Sequence, residues 1–272
     1  MTEVVGLIAG NGVLPALVAK SLKAKGFSVH AVAHRGETDT ALAQDVDSMA
    51  WVHVGQLGAI AESFVGRGVR RATMAGGIGR NFKWTKLRPD RGAFKAAMGV
   101  RRFTDDALLR HAAQWLGSQG ITLVPATEFV EHIAAGAGLL AGPPLSRREE
   151  EDVRLGFDVA RLLGQADVGQ SVVVKEGMVL AVEALEGTDA CIRRAAELGG
   201  KGAVVVKRFK PHQDVRFDVP AVGSVTLEVM REAGARVLAI EAHRTLLLDA
   251  ETVFRWAPAL GISVLGVDVG TG

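Results

Sequence analysis

Short apolar runs alternate with helix-forming segments along the first 125 residues, and this alternation limits the fold more than any other feature. The apolar runs span residues 4–9, 27–33, 52–54, 69–75 and 120–125. Each run has the length of a buried strand, and helices are predicted at 14–25, 59–67 and 104–116. Because strands joined by helices pair in parallel through right-handed crossovers, we expect a parallel sheet covered by helices.

The second half of the chain has a different pattern. A hairpin is predicted around Glu176-Gly177, between β-rich runs at 171–175 and 178–183. Further strands are predicted at 202–207, 237–241, 245–249 and 262–267, and helices at 188–198 and 223–233. We therefore expect an α/β protein with an N-terminal Rossmann-like parallel-sheet domain and a C-terminal α+β domain with a mixed sheet. The domains are assigned to residues 1–133 and 149–272, joined by a linker at 134–148 that is rich in Gly, Ala and Pro and ends in a helix start at Ser146.

Composition narrows the class of protein further. A chain of 272 residues can bury a sizeable core, and its net charge of +2 is too small to indicate nucleic-acid binding. Cys191 is the only cysteine, which excludes an internal disulfide and fits a reducing cytosol, and its helical context favours a buried small hydrophobe over a nucleophile. The sequence has no signal peptide and no apolar run of the ~18 residues that a membrane span needs, so we expect a cytoplasmic protein that reaches lipid only from the membrane surface.

Two glycine-rich turns follow predicted strands. Gly10-Asn11-Gly12 follows the first strand and Gly76-Gly77 follows the fourth, so both would lie at the carboxyl edge of the sheet, where open parallel sheets bind ligands. They are candidates for contact with phosphate or ribose, and a tight turn without a ligand explains them equally well. The dinucleotide fingerprint fails because Pro15 stands where its third glycine is required, which disfavours a nicotinamide-dependent oxidoreductase.

A basic stretch extends from residue 80 to residue 102. It contains eight Lys and Arg residues against the single acid Asp90, with large apolar residues between them. This combination suits an anionic membrane surface, and a solvated helix face explains it equally well. No RNA- or DNA-binding motif accompanies it, and we expect no nucleic-acid partner.

Acidic residues gather in the second half. Glu183, Glu186 and Asp189 lie at a predicted strand-to-helix turn, where Thr188 is placed to cap the helix. Carboxylates so close together can hold a hard divalent ion that also binds phosphate, whereas a capped helix with acids in its first turn accounts for Thr188 and Asp189 alone.

A mixture of cations and acids follows the strand at 202–207. Lys207 ends that strand in a position suited to a phosphate contact, and Asp214, Arg216 and Asp218 follow it. In an extended segment these last three side chains would point the same way, so both acids could converge on one ion. Pyrophosphate cleavage needs cations beside a carboxylate, and a surface loop with salt bridges is the alternative.

Seven segments, in order along nearly the whole chain, resemble the metal-dependent UDP-2,3-diacylglucosamine pyrophosphatase family of lipid A biosynthesis. They are residues 6–15, 55–58, 74–77, 104–110, 167–170, 183–189 and 213–220. The last two are long and specific.

The resemblance implies that water attacks the pyrophosphate of UDP-2,3-diacylglucosamine and gives UMP and 2,3-diacylglucosamine 1-phosphate. It also implies dependence on Mg²⁺ and a homodimer. The basic stretch with its apolar residues adds an expected contact with the inner face of the membrane. The catalytic role falls first to Asp218 and second to Asp214, and the metal ligands would be Glu186, Asp189 and Asp218. The substrate-binding residues would be Gly10, Asn11, Gly12, Gly76, Gly77, Gln170, Thr188, Lys207 and Arg216.

One alternative is a non-catalytic module that binds a nucleotide or an anionic lipid. Such a module predicts binding without turnover. The acids at 186, 189, 214 and 218 argue against it, because they would repel an anionic ligand unless a metal intervened.

Overall fold

A computed structural model of the chain describes residues 2–78, 87–98, 105–211, 213–217 and 219–270, without the side chains of Asp105 and Asp106. The chain forms two compact units. The first comprises Met1–Glu131 together with Asp214–Asp218, and the second comprises His132–Gln213 and Val219–Gly272. None of the helices in the described ranges is long and apolar enough to cross a bilayer.

The first unit is a five-stranded parallel sheet with helices. Its elements are β1 (Val4–Ala9), α1 (Leu14–Ala24), β2 (Ser28–His34), a 3-10 helix (Thr40–Gln44), β3 (Ser48–Val52), α2 (Leu57–Val65), β4 (Arg71–Ala75), α3 (Arg91–Ala97), α4 (Asp105–Ser118), β5 (Thr122–Leu123) and α5 (Thr127–Val130), followed by a 3-10 turn (Glu131–Ile133). The strand order is β3-β2-β1-β4-β5, and every pairing is parallel. The predicted parallel sheet is thereby confirmed.

This strand order places a topological switch point between β1 and β4. From β1 the chain adds β2 and β3 on one side, and β4 and β5 on the other. Ligands of open parallel sheets bind beyond the carboxyl ends of the strands at such a point. Both glycine-rich turns follow the two strands that flank it.

The third strand and helix α3 differ from the sequence-based elements of this unit. The third strand was expected at 52–54 and lies at Ser48–Val52, because these residues pair with β2 in a register that joins Ser48 to His30. Helix α3 was not predicted, and it occupies the middle of the basic stretch. The parts of that stretch at 80–86 and 99–102 lie outside the described residues.

The second unit is built on a six-stranded mixed sheet, as expected. Its elements are β6 (Gly138–Ala141), α6 (Arg147–Gln165), β7 (Ser171–Lys175), β8 (Met178–Val182), α7 (Thr188–Gly199), β9 (Val204–Lys207), β10 (Ala221–Val222), α8 (Ser224–Ala233), β11 (Val237–Glu241), β12 (Leu246–Leu247), α9 (Ala250–Ala259) and β13 (Ser263–Val267). The strand order is β6-β13-β11-β9-β7-β8, with β9, β11 and β13 parallel and the others antiparallel to their neighbours.

Three elements of this unit depart from the sequence pattern. The segment expected to be a linker contains β6, which pairs with β13 at an edge of the sheet. The strand expected at 245–249 reduces to β12, which pairs in parallel with β10. Helix α9 has Pro258 inside it, near its C-terminal end, which hides the helix from a sequence reading.

Two apolar clusters hold the sheet between its helices. Phe157 of α6 packs with Val172 and Val206 on one face. Ile192 of α7 and Leu227 of α8 pack on the other. Helix α6 begins as predicted at Ser146, whose hydroxyl and the Glu149 carboxylate form a reciprocal capping box. The alternation of strands and helices therefore positions the edges from which the candidate site residues project.

Candidate functional site

In the first unit, the two glycine-rich turns lie against each other. The Gly10 amide donates to the Ala75 carbonyl at 2.8 Å, and the Asn11 amide donates to the Gly77 carbonyl at 2.7 Å. A Cβ atom at Gly10 would overlap the Gly77 carbonyl oxygen, and one at Gly76 would overlap the Asn11 carbonyl oxygen. Close backbone packing therefore requires these glycines, and the amides of Gly10 and Asn11 are engaged within the protein.

Polar side chains surround this pair of turns. Asn11 donates through Nδ2 to Glu37 Oε2 at 3.3 Å. The Ala9 carbonyl, at the end of β1, accepts from Thr38 Oγ1 at 2.6 Å and lies 3.0 Å from His34 Nδ1. Burial lowers the pKa of His34 below its ordinary value, so this side chain is neutral at pH 7.

Glu37 is a residue that sequence reasoning missed. It follows β2 at the carboxyl edge and contacts the first glycine-rich turn. In dinucleotide-binding folds, an acid at this place binds ribose hydroxyls. The sequence signal that could have identified Glu37 is an acidic residue shortly after the second predicted strand.

In the second unit, three predicted site residues and two of their neighbours lie together at one end of the sheet. Ser171 begins β7 opposite Lys207, which ends β9. The Glu183 amide donates to the Ser171 carbonyl at 2.8 Å, and the Ser171 and Thr188 hydroxyl oxygens lie 3.1 Å apart. The Gln170 carbonyl accepts from the Arg208 amide at 2.9 Å, next to Lys207. The structure therefore brings together the predicted residues Gln170, Thr188 and Lys207, with Ser171 and Glu183 between them.

Most of this cluster is buried. Ser171 is fully buried, Glu183 is 4% exposed and Lys207 is 9% exposed. Lys207 donates through Nζ to the Ala221 carbonyl at 3.0 Å. The Gln170 side-chain oxygen is buried, and the described part of the chain offers it no hydrogen-bond partner. A buried polar atom without a partner is costly, so this amide is available to a ligand donor.

Thr188 does not cap α7, contrary to expectation. Gly187 is the N-cap residue, with φ at +87°, and the Thr188 side chain contacts Ser171 instead. The tight turn that brings the chain from Glu183 into α7 requires glycine at this φ. The Thr188 hydroxyl thereby faces the polar cluster.

Glu186 and Asp189 lie at the exposed side of the same turn. Glu186 Oε1 accepts from Arg194 at 2.5 Å, and Glu186 Oε2 accepts from the Ala184 amide at 3.1 Å. Hydrogen bonds from its own backbone amide and from Arg194 hold the pKa of Glu186 below its ordinary value. Asp189 is exposed in the first turn of α7, where a carboxylate stabilises the helix dipole.

Asp214 and Arg216 belong to the first unit, although they follow β9 of the second. Residues 215–217 form a turn in which the Phe217 amide donates to the Asp214 carbonyl at 3.0 Å. The expectation of an extended segment with alternating side chains is therefore wrong for these residues. Phe217 packs against the apolar core of the first unit, and this contact holds the turn in place.

The two charged side chains of this turn bind each other. Arg216 Nε lies 2.9 Å from Asp214 Oδ1, and Arg216 Nη2 lies 2.6 Å from Asp214 Oδ2. The Arg216 guanidinium also lies over the Phe217 ring, 5.0 Å from its centroid. The ion pair with Arg216 lowers the pKa of Asp214, so this carboxyl stays ionised well below neutral pH.

The described residues contain no cluster of three or more His, Cys, Asp and Glu side chains that could hold a metal. Of the three predicted ligands, Glu186 binds Arg194, Asp189 is exposed, and Asp218 lies outside the described residues. Cys191 is buried in α7, and burial raises the pKa of its thiol to about 12, in agreement with the expected small hydrophobe.

Comparison with known proteins identifies relatives of the whole chain. The family described as the LpxI N-terminal domain matches residues 4–133, and the LpxI C-terminal domain matches residues 136–265. A curated protein of Caulobacter vibrioides, the UDP-2,3-diacylglucosamine pyrophosphatase LpxI, is 35% identical over 274 aligned positions that cover 97% of each chain.

Solved structures match much less well. The biotin carboxylase domain of a thermophilic 2-oxoglutarate carboxylase is 14% identical, with a TM-score of 0.30 over 64% of this chain and 35% of that chain. The N5-carboxyaminoimidazole ribonucleotide synthetase purK is 13% identical, with a TM-score of 0.27 over 75% of this chain and 46% of its own. Similarity at this level carries no argument about fold or function.

Proposed function

The chain belongs to the LpxI family, and we propose that it hydrolyses the pyrophosphate of UDP-2,3-diacylglucosamine to UMP and 2,3-diacylglucosamine 1-phosphate. The observation that carries this proposal is the 35% identity to the curated pyrophosphatase over 97% of both chains. The buried cation and polar groups at the end of the second unit's sheet support it, because a pyrophosphate needs positive charge and hydrogen-bond donors.

Hydrolysis requires a water oxygen to attack one phosphorus. The bond from that phosphorus to the bridging oxygen breaks, and the electron pair leaves with the departing phosphate. The attacking water loses a proton, which a carboxylate can accept. We assign this carboxylate to Asp218, because the segment from 213 to 220 carries the resemblance to the family.

Lys207 is proposed as the cation that meets the substrate phosphates. Lys207 is the last residue of β9 and is 9% exposed as a whole residue, so little water screens its charge. The Thr188 hydroxyl and the Gln170 amide are proposed to bind the same ligand, since they lie at the same end of the sheet. Asp214 is proposed to act indirectly, by holding Arg216 in place for a substrate phosphate.

Dependence on Mg²⁺ is proposed from the chemistry of the substrate. Mg²⁺ usually keeps several waters and binds through one or two carboxylates plus the substrate phosphates. Mg²⁺ binding therefore does not require a cluster of three protein ligands, and the described residues contain no such cluster. The ion would neutralise the pyrophosphate, and the residues that hold it are proposed to include Asp218.

Association with the membrane surface and formation of a homodimer are also proposed. The diacyl substrate is a bilayer lipid, so the enzyme must reach a membrane to bind it. The dimer is proposed from the resemblance to the family, and light scattering of the purified protein tests it directly.

The proposed reaction is tested by incubating the protein with UDP-2,3-diacylglucosamine, with Mg²⁺ or with EDTA. We expect UMP and the lipid monophosphate in equal amounts, in the presence of Mg²⁺ only. Release of neither product by folded protein would refute the proposed reaction, and equal rates with EDTA would refute the metal requirement alone.

Two variants and one control test the assigned roles. Lys207→Met and Asp218→Asn should each lower kcat by about 10²-fold or more, the usual loss for a group that stabilises the transition state. Lys175 is the control, because its ammonium group also donates to a backbone carbonyl, that of Gly199 at 2.7 Å, from the other end of β7. Lys175→Met should keep kcat within about twofold of wild type.

A further inference from the structure

We propose that the outer face of α3 docks this protein onto an anionic lipid bilayer. This face consists of Arg91, Phe94 and Lys95 of the helix together with Met98, the residue that follows its last turn. The inference deepens the proposed function, on which it rests for the lipid nature of the substrate, by naming the surface through which the enzyme meets the membrane.

Helix α3 is fixed to the first unit at its N-terminal end. The Asp90 carboxylate caps it by accepting from the Ala93 amide at 2.9 Å, and it also accepts from the Ala59 amide of α2 at 3.1 Å. One carboxylate thereby joins two helices. Its negative charge is directed at backbone amides rather than at the outer face.

The inner face of α3 is packed tightly. Gly92 and Ala96 are buried. A Cβ atom at Gly92 would come within 2.6 Å of the Gly58 amide nitrogen in α2 and within 2.9 Å of the Trp115 ring in α4. This close contact leaves α3 one orientation on the unit, so its outer face is fixed as well.

The outer face presents two large apolar side chains to solvent. At about 100° per residue, Phe94 and Met98 lie on the side of the helix away from Gly92 and Ala96. Phe94 is 63% exposed and Met98 is 73% exposed, whereas Phe64 and Phe129 of the same unit are 0% and 2% exposed. Neighbouring exposed apolar side chains of this size mark an interaction surface.

Within residues 87–98, the exposed charged side chains beside these apolar ones are all cations. Arg91 and Lys95 are exposed on the same face, and Arg88 is exposed just before the helix. Asp90 is the one acid in residues 87–98, and its carboxylate is engaged as described. Apolar side chains flanked by cations are complementary to a bilayer that contains anionic lipids, since the cations are attracted to its negative surface and the apolar groups insert among the lipids.

The residues that lead into α3 lie beside the carboxyl edge of the parallel sheet, the edge that binds ligands in folds of this type. The Arg88 amide donates to the Val54 carbonyl at 3.0 Å, and the Asp90 amide donates to the Gly55 carbonyl at 3.4 Å. Val54 and Gly55 lie two and three residues beyond the carboxyl end of β3. A membrane bound by α3 would therefore present its lipids close to the carboxyl edge of the parallel sheet.

Vesicle binding tests the proposal without any substrate. Purified protein is floated with phosphatidylcholine vesicles, with and without added phosphatidylglycerol. We expect binding only when the anionic lipid is present. Phe94→Ser with Met98→Ser, and separately Arg91→Gln with Lys95→Gln, should each weaken binding about tenfold or more, since the first pair supplies the apolar contact and the second pair the attraction to anionic headgroups.

Matched controls separate this face from exposed residues in general. Val65 and Leu162 are each 56% exposed, and Val65→Ser with Leu162→Ser should bind vesicles as wild type does. Arg147 and Arg154 are exposed cations of α6, and Arg147→Gln with Arg154→Gln should also bind normally. The proposal is overturned if the α3 variants bind vesicles as tightly as wild type does. It is also overturned if the wild-type protein binds equally well to vesicles without anionic lipid.

A labelled variant covers the case in which an α3 variant fails to fold. Because Cys191 is buried, Phe94→Cys introduces an accessible thiol for an environment-sensitive fluorophore. Its emission should shift to the blue with anionic vesicles, while the same label at Val65→Cys should not respond. A response at neither position, or loss of self-association in the α3 variants without loss of vesicle binding, counts against a bilayer as the partner.

The two proposals fail separately. Vesicle binding contains no hydrolysis step, so it can succeed even if the protein does not cleave UDP-2,3-diacylglucosamine. Conversely, hydrolysis of detergent-dispersed substrate should remain near the wild-type rate in the α3 variants, while hydrolysis of vesicle-borne substrate falls with binding.

Discussion

The carboxylate of Asp214 holds the guanidinium of Arg216 through two parallel contacts, 2.9 Å from Nε to Oδ1 and 2.6 Å from Nη2 to Oδ2. Such a bidentate pair fixes both the position and the plane of the arginine. The pair is close in sequence, but Phe217 holds it in the first unit by packing against that unit's core.

Removing Asp214 should disturb Arg216 rather than remove a proton acceptor. We expect Asp214→Asn to raise KM for the lipid pyrophosphate and to leave the shape of the kcat profile between pH 6 and 9 unchanged, since the pKa of Asp214 lies below its ordinary value. Arg216→Gln should raise KM similarly, and the double variant should add little. A new titration in the Asp214→Asn profile would show that Asp214 exchanges a proton.

The same pair predicts how stability depends on pH. The folded pKa of Asp214 is lower than the value of about 3.9 in an unfolded chain, so its contribution is present above about pH 4 and is lost as pH falls through the folded pKa. Asp214→Asn should therefore cost the same free energy of unfolding at pH 5 and pH 8, and less near pH 3. Urea unfolding at these three values measures it, and a cost that grows toward low pH would contradict the assignment.

The packing of the glycine-rich turns can be tested with two glycines of the same backbone conformation. Gly76 and Gly12 have φ values of +79° and +83°, so alanine is strained by a similar amount at both. Only Gly76→Ala also drives a Cβ into the Asn11 carbonyl, whereas Gly12 meets no other described atom within 4 Å. Gly76→Ala should cost about 1–3 kcal/mol more than Gly12→Ala in urea unfolding. Equal costs would mean that the turns separate easily.

A buried carboxylate stabilises the hairpin of the second unit. Asp152 of α6 is 5% exposed and accepts from the Glu176 and Gly177 amides at 2.8 and 2.7 Å. Asp152→Ala leaves both amides unpaired and should lower the free energy of unfolding by about 2–3 kcal/mol. Asp158→Ala, an exposed site on the same helix, should cost less than about 0.5 kcal/mol. If both variants lose a similar free energy of unfolding, the contact between Asp152 and the hairpin is not the cause of the loss.

Cys191 should be chemically inert in the folded protein. Its side chain is buried, and burial raises the pKa of its thiol to about 12, so almost no thiolate forms at pH 8. A thiol reagent such as dithionitrobenzoate should label it only after urea unfolds the chain. Fast labelling of one thiol per chain in native buffer would contradict its placement in the core of the second unit.

The local pattern of the sequence determined the elements whose signals lie within a few residues. The alternation of apolar runs and helices predicted the parallel sheet of the first unit, and Ser146 predicted the start of α6 through a capping box that closes over three residues. Glu176-Gly177 predicted the hairpin because its two-residue turn needs positive φ, and the two residues adopt φ values of 50° and 77°. Backbone preference and burial of apolar faces act locally, so they can be read from sequence.

The tertiary structure alone decided what the charged and polar side chains contact. Thr188 bonds to Ser171, 17 residues earlier, instead of capping its own helix, and Glu186 binds Arg194 instead of standing open to a metal. The turn that carries Asp214 lies in the first unit although its neighbours in sequence belong to the second. A polar side chain satisfies its hydrogen bonds with whichever partner the packed core brings near, and that choice depends on contacts between residues far apart in the chain.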